Sequence, residues 1–162
     1  MKKKIFSLVA TVIMLFVCCS PVNAFADNVN GNDYIRFEQP VSRIASNGAF
    51  TFDVHIRLAS GKFKANGNYI TIQTRARIYG AGTETYRTDS SVKFRVTLCK
   101  SSGKTVGSYV GMADNIYGGR KFTGITKGDT YYFVITVLDE NIQHSGYESV
   151  KGTGNVSNVT VL

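Results

Sequence analysis

From residue 49 onward, apolar and polar side chains alternate almost one for one. Ala49 to Leu58 reads A-F-T-F-D-V-H-I-R-L, with Phe50, Phe52, Val54, Ile56 and Leu58 on one side and Thr51, Asp53, His55 and Arg57 on the other. Tyr69 to Tyr79 repeats the design, setting Ile70, Ile72, Thr74, Ala76 and Ile78 against Thr71, Gln73, Arg75, Arg77 and Tyr79. Val92 to Cys99 does so a third time, with Val92, Phe94, Val96 and Leu98 opposite Lys93, Arg95, Thr97 and Cys99. A side-chain period of two belongs to a strand with one dry face and one wet face. Three such strands are therefore predicted.

The segments between them carry turn chemistry. Asn47-Gly48 and Asn66-Gly67 tolerate positive φ, and Lys100-Ser101-Ser102-Gly103-Lys104 reads as a hairpin loop returning through Thr105 to Met112. Further strands are expected near Tyr34 to Glu38, Gly119 to Phe122, Thr130 to Leu138 and Asn155 to Leu162. After the N-terminal segment no stretch sustains a helical period, and no repeat or linker divides the chain. Eight or so short strands with glycine-containing turns predict an all-β fold, an antiparallel two-sheet β-sandwich or a barrel.

One segment narrows that choice. Ile125-Thr126-Lys127-Gly128-Asp129-Thr130-Tyr131-Tyr132-Phe133-Val134-Ile135 resembles the corner and F strand of fibronectin type III domains. Ile125 and Tyr131 match the family's pattern of an apolar residue followed six positions later by tyrosine. The resemblance implies an immunoglobulin- or fibronectin III-like sandwich in which the Tyr131 hydroxyl bonds back to backbone a few residues upstream. It also implies that Gly146-Tyr147-Glu148-Ser149 is a short F–G connection leading to a final strand from Asn155 to Leu162.

The N-terminus changes where all this is expected to operate. Lys2, Lys3 and Lys4 precede an apolar run from Ile5 to Val17, and Ala24-Phe25-Ala26 follows. That order is a secretory signal peptide, residues 1–26, with cleavage expected after Ala26 and, as second choice, after Ala24. The apolar run ends at Cys19, short of the roughly 18 to 20 residues an uncleaved anchor needs. Cys18 follows Val17 and Cys19 follows Cys18, neither of them the small residue that precedes a lipidated cysteine. The layout looks bacterial. Residues 27–33 read as a polar arm and residues 34–162 as one domain, a length sufficient to bury a core.

Processing would leave sixteen basic residues facing eleven acidic ones, a net charge of +5, and a single cysteine, Cys99. No intramolecular disulfide is then possible, so cohesion must come from packing. The modest charge and the expected compartment argue against nucleic acid, and a processed chain is not expected to be an integral membrane protein.

Catalytic chemistry is sparse. The two histidines, His55 and His144, have no second histidine or cysteine at ligand spacing. Asp139-Glu140-Asn141 lacks the alternating acids of a calcium loop, and the remaining carboxylates are scattered rather than paired. No nucleophile elbow, Walker loop or dinucleotide fingerprint is present. No enzyme activity, metal or cofactor is expected.

Two features point to binding. Arg57, Arg75, Arg77, Lys93 and Arg95 occupy the polar sides of their strands and would form one basic face if those strands share a sheet. Tyr79 and Tyr86 bracket a glycine-rich turn, with Tyr109 and Tyr117 farther on, and such rings stack on sugars or anchor protein contacts. The residues expected to bind are Arg75, Arg77, Arg95, Tyr79 and Tyr86. The expected function is non-catalytic recognition of an extracellular protein or glycan; the alternative is an antimicrobial or toxin-like protein acting on anionic envelopes.

Overall fold

The alternating segments become strands whose dry faces meet. In a computed structural model of the chain, which describes residues 34–37 and 48–162, the first sheet holds β1 (Tyr34–Phe37), β2 (Ala49–Val54), β5 (Tyr69–Gly80), β6 (Thr85–Arg87), β9 (Gly118–Thr123) and β11 (Glu148–Ser157). The second holds β3 (Arg57–Ala59), β4 (Phe63–Ala65), β7 (Asp89–Lys100), β8 (Thr105–Ala113), β10 (Thr130–Val137) and β12 (Val159–Val161). Every pairing is antiparallel. The expected signal peptide and the arm at residues 27–33 lie outside the described residues.

The order of pairing reveals how the chain is wound. β7 pairs β8 through the Ser101–Lys104 turn, β5 pairs β9, β3 and β4 pair β10, and β2 pairs β11. These pairs are nested like the rungs of one long hairpin that has been rolled up, so successive rungs alternate between sheets. That winding is a jelly roll. It corrects one expectation: the segment after Gly146 does not turn back beside β10 but crosses to the opposite sheet, where β11 inserts between β2 and β5. Only β12 returns to the sheet of β10.

A second correction concerns Ala49 to Leu58, read as one strand. Its pairing with β11 stops at Val54 opposite Val150. Beyond that point the backbone bends at His55–Ile56 and β3 joins β10 in the other sheet, with Leu58 opposite Ile135. The break falls where pairing with β11 stops and β10 takes over as partner, which keeps the backbone amides paired. Near the C-terminus Asn158, at φ 65°, separates β11 from β12 where one strand was expected.

A five-residue helix, α1 (Glu140–His144), follows β10. Asp139 caps it, accepting the Ile142 amide at 3.1 Å, and Ile142 plugs into the core. The acidic triplet thus starts a helix.

The core is built from phenylalanine. Phe50, Phe52, Phe63, Phe94 and Phe133 are each at most 1% exposed. Rings meet across the sheets, Phe50 to Phe133 at 4.7 Å and Phe52 to Phe94 at 5.9 Å between centroids. Glycines make room for them: Phe52 and Phe50 lie opposite Gly152 and Gly154 on β11, and Phe94 lies opposite Gly111 on β8. A Cβ on Gly154 would stand 2.4 Å from Phe50 Cζ, and one on Gly111 2.5 Å from Phe94 Cζ. Each ring therefore covers a bare stretch of the adjacent strand.

Two tyrosines tie the layers with polar bonds. The Tyr131 side chain is fully buried and its hydroxyl accepts the Thr126 backbone N–H at 3.0 Å, fixing the corner before β10. Tyr109, on β8, reaches across the core so that its hydroxyl shares a 3.0 Å hydrogen bond with buried Thr74 of β5. Burial pushes the Tyr109 hydroxyl up to about 12, a smaller opposing effect coming from the bond to Thr74.

Candidate functional site

Because Ile72, Thr74, Ala76 and Ile78 face the core, Arg75 and Arg77 must project from the opposite face of β5. Their surroundings follow from register. Across β11, Arg77 lies opposite Lys151 and Arg75 opposite Thr153; one strand farther, Lys151 and Thr153 lie opposite Asp53 and Thr51 of β2. Two rows of outward side chains thus run over the middle of the first sheet.

The other edge of β5 is divided. β9 pairs with Tyr69 to Thr74 and β6 with Ile78 to Gly80, so neither covers the stretch carrying the two arginines. The loop after β8 closes this gap. Asp114 accepts the Ile116 amide at 2.9 Å, which tightens the turn; Asn115, at φ 65°, donates its amide to the Ala76 carbonyl at 2.8 Å. Tyr117 is thereby carried to Arg75, whose guanidinium carbon lies 4.9 Å from the ring centroid. On the β6 side, Arg77 approaches the Tyr86 ring at 5.8 Å.

The result is an open depression of about 310 Å³ on the sheet's outer face. Its floor is strand backbone at Phe52, Ala76 and Gly152; its sides are Arg75, Arg77, Lys151, Tyr86, Asn115 and the two threonines. Lys151 is partly engaged, 3.4 Å from the Asp53 carboxylate and 4.2 Å from the Tyr79 ring, which in turn packs on Tyr86 at 5.0 Å. Among the described residues no carboxylate pairs with Arg75 or Arg77. Each guanidinium has an aromatic ring beside it, an arrangement that holds the cation in place while leaving its N–H edge to a ligand.

Arg75, Arg77, Tyr79 and Tyr86 therefore share one face. Arg95 does not. β7 and β3 belong to the second sheet, where Arg57, Thr136, Arg95 and Val110 form a single cross-strand row and Lys93 lies opposite Met112. The five basic side chains form two clusters on opposite sides of the sandwich, so the single basic face is corrected to two. Tyr131 is buried at the corner, far from solvent. Lys151, Thr153, Thr51 and Asn115 were not singled out in the sequence: β11 alternates small and polar residues around Gly152 and Gly154 and gives little periodic signal, while Thr51 on β2 and Asn115 in the loop after β8 are brought in by long-range pairing.

Other reactive groups are accounted for in the packing. Cys99 is buried and sits across from Tyr132, whose hydroxyl is held above its ordinary value by burial first and then by the neighbouring thiol. His144 Nδ1 lies 2.7 Å from the Glu140 carbonyl within α1. Among the described residues no three His, Cys, Asp or Glu side chains come together as a metal site would require.

No protein-family model matches the chain, and no curated protein does. Among solved structures, a family two carbohydrate esterase from Cellvibrio japonicus matches with a TM-score of 0.36 and 8% identity, over 73% of this chain and 29% of that one. The chain spans less than a third of that protein.

Proposed function

We propose that the chain is a secreted, non-catalytic sandwich protein that acts by recognising a protein or a glycan on the outer face of its first sheet. The observation that carries this reading is the depression between β6, β5 and β11, where two arginines without a carboxylate partner among the described residues are flanked by exposed tyrosines. Tyr86 and Tyr117 are 51% and 59% exposed, far above what a tyrosine serving only the core would be. Amphipathic rings beside fixed cations are a common composition of recognition surfaces. Export rests on the lysines, the short apolar run and the Ala24-Phe25-Ala26 site; among the described residues no helix is long and apolar enough to cross a membrane.

The test is a glycan array and a pull-down with purified protein, repeated with Tyr79→Ala and Tyr86→Ala. A ligand that binds the wild type and loses affinity for both variants supports the reading. Unchanged affinity counts against it.

A second reading, action on an anionic envelope, is favoured by the opposite face. There Val110 and Met112 are exposed at 48% and 44% beside Arg95 and Lys93, an apolar and basic combination suited to a lipid surface. Binding to anionic vesicles that weakens with salt and with Met112→Ser would support it, and no binding at low ionic strength would remove it.

A further inference from the structure

We infer that the ligand of the β5–β11 depression is an acidic saccharide, a sugar chain bearing carboxylate or sulfate groups; the inference rests on the recognition reading above and names its substrate class. Three observations carry it. Arg75 and Arg77 are two positions apart on one strand, so their points of attachment are about 6.6 Å apart. Each is steadied by a tyrosine rather than by an acid, at 4.9 Å and 5.8 Å. Asp53, the acid opposite Lys151 on β2, is already paired with that lysine. Two anchored guanidinium groups with open N–H edges match anions repeated along a ligand, through charge-assisted and potentially bidentate bonds.

The remaining lining decides between a sugar and an acidic protein. Thr51, Thr153 and Asn115 supply hydroxyl and amide groups that both donate and accept, matching the hydroxyls of a saccharide. Tyr86 and Tyr117 offer flat apolar rings at the margin. Protein interfaces use Arg and Tyr as well, but they centre on side chains seated in well-packed, fully desolvated pockets. Here the depression is open, Arg75, Arg77 and Lys151 stand around it, and the side chains of the floor residues Phe52 and Ala76 are buried in the core. The shallow, open form suits a chain lying across the sheet rather than a buried small molecule.

The probes are polygalacturonate, its fully methyl-esterified form, dextran sulfate and unmodified dextran, with affinities measured by titration calorimetry on the full purified chain. The expected result is binding to the two charged polymers and not to their neutral counterparts, with the stronger of the two identifying carboxylate or sulfate as the preferred anion. Arg75→Gln and Arg77→Gln should each weaken binding about ten-fold or more, as loss of a charge-assisted bond would. Arg95→Gln, on the opposite sheet, should leave it unchanged. Equal binding of the acid and its methyl ester, still lost in Tyr86→Ala, would overturn the acidic-saccharide inference while leaving recognition at this face intact. An Arg95→Gln loss as large as that of Arg75→Gln would also overturn it, since attraction would then follow net charge alone. Failure of all four polymers overturns it too, whereas the recognition reading is decided separately by the array and pull-down with the tyrosine variants. Unchanged thermal melting of the variants verifies that they are folded.

Discussion

Replacing Gly154 by alanine tests whether the phenylalanine core depends on bare backbone in β11. The added Cβ would lie 2.4 Å from Phe50 Cζ, 2.8 Å from Phe50 Cε1 and 2.5 Å from the Gln73 carbonyl oxygen. Carbon atoms pack at about 3.5–4.0 Å, so the Phe50 ring must yield by about an ångström or more while the Gln73 carbonyl on the other side is also too close. Phe50 is completely buried and its ring is already 4.7 Å from that of Phe133, while the carbonyl belongs to the paired strand β5. Overpacking of this kind costs about 1–3 kcal/mol, and contact with both a ring and backbone puts Gly154→Ala at the upper end. A loss near 3 kcal/mol lowers the melting temperature by on the order of 10 °C. Urea titration of wild type, Gly154→Ala, Phe50→Leu and the double variant gives the coupling directly. The smaller Phe50→Leu side chain should recover part of the loss. Gly118→Ala, where nothing lies within 4 Å, is the control and should change stability little. A neutral Gly154→Ala, or a Gly118→Ala equally damaging, would refute the packing argument.

Two further outcomes follow from the tyrosines. An unfolded tyrosine ionises near pH 10 but folded Tyr109 only at about 12, so between those values the unfolded state has released a proton that the folded state retains. The corresponding stability is fully present below pH 10 and is lost as the pH climbs to 12, about 2–3 kcal/mol in all; urea midpoints at pH 9 and 11.5 should fall more for wild type than for Tyr109→Phe. Tyr131→Phe removes the acceptor of the part-buried Thr126 amide and should cost about 1–2 kcal/mol in urea unfolding, without altering binding at the first sheet.

Side-chain direction was legible in the sequence; sheet membership was not. Alternation alone fixed Phe52, Ile72 and Phe94 inward and Arg75 and Arg77 outward, and burial agrees at every one of the three apolar positions. The same alternation places Arg95 outward without saying on which side of the molecule, because β7 joins β10 through pairs 31 to 43 residues apart. Long-range pairing also decides that Ala49 to Leu58 splits at His55, where β11 ceases to be a partner. The crossing after β10 was hidden for a related reason: Glu148 to Ser157 is held by its neighbours β2 and β5, and its Gly152 and Gly154 carry no periodic signal. Tyr117 joins the candidate site through the Asn115 amide bond to Ala76, a contact 39 residues apart that no local motif announces.

We propose that the ligand lies across β5 and β11 on the outer face of the first sheet. The decisive measurement is an NMR titration of the ¹⁵N-labelled protein with a galacturonate oligomer, following the arginine Nε–Hε signals and the tyrosine ring signals. Saturable shifts at Arg75, Arg77, Tyr86 and Tyr117, with Arg57 and Arg95 unmoved, are the expected result. Shifts confined to Arg57 and Arg95, or of similar size at every arginine, would contradict it.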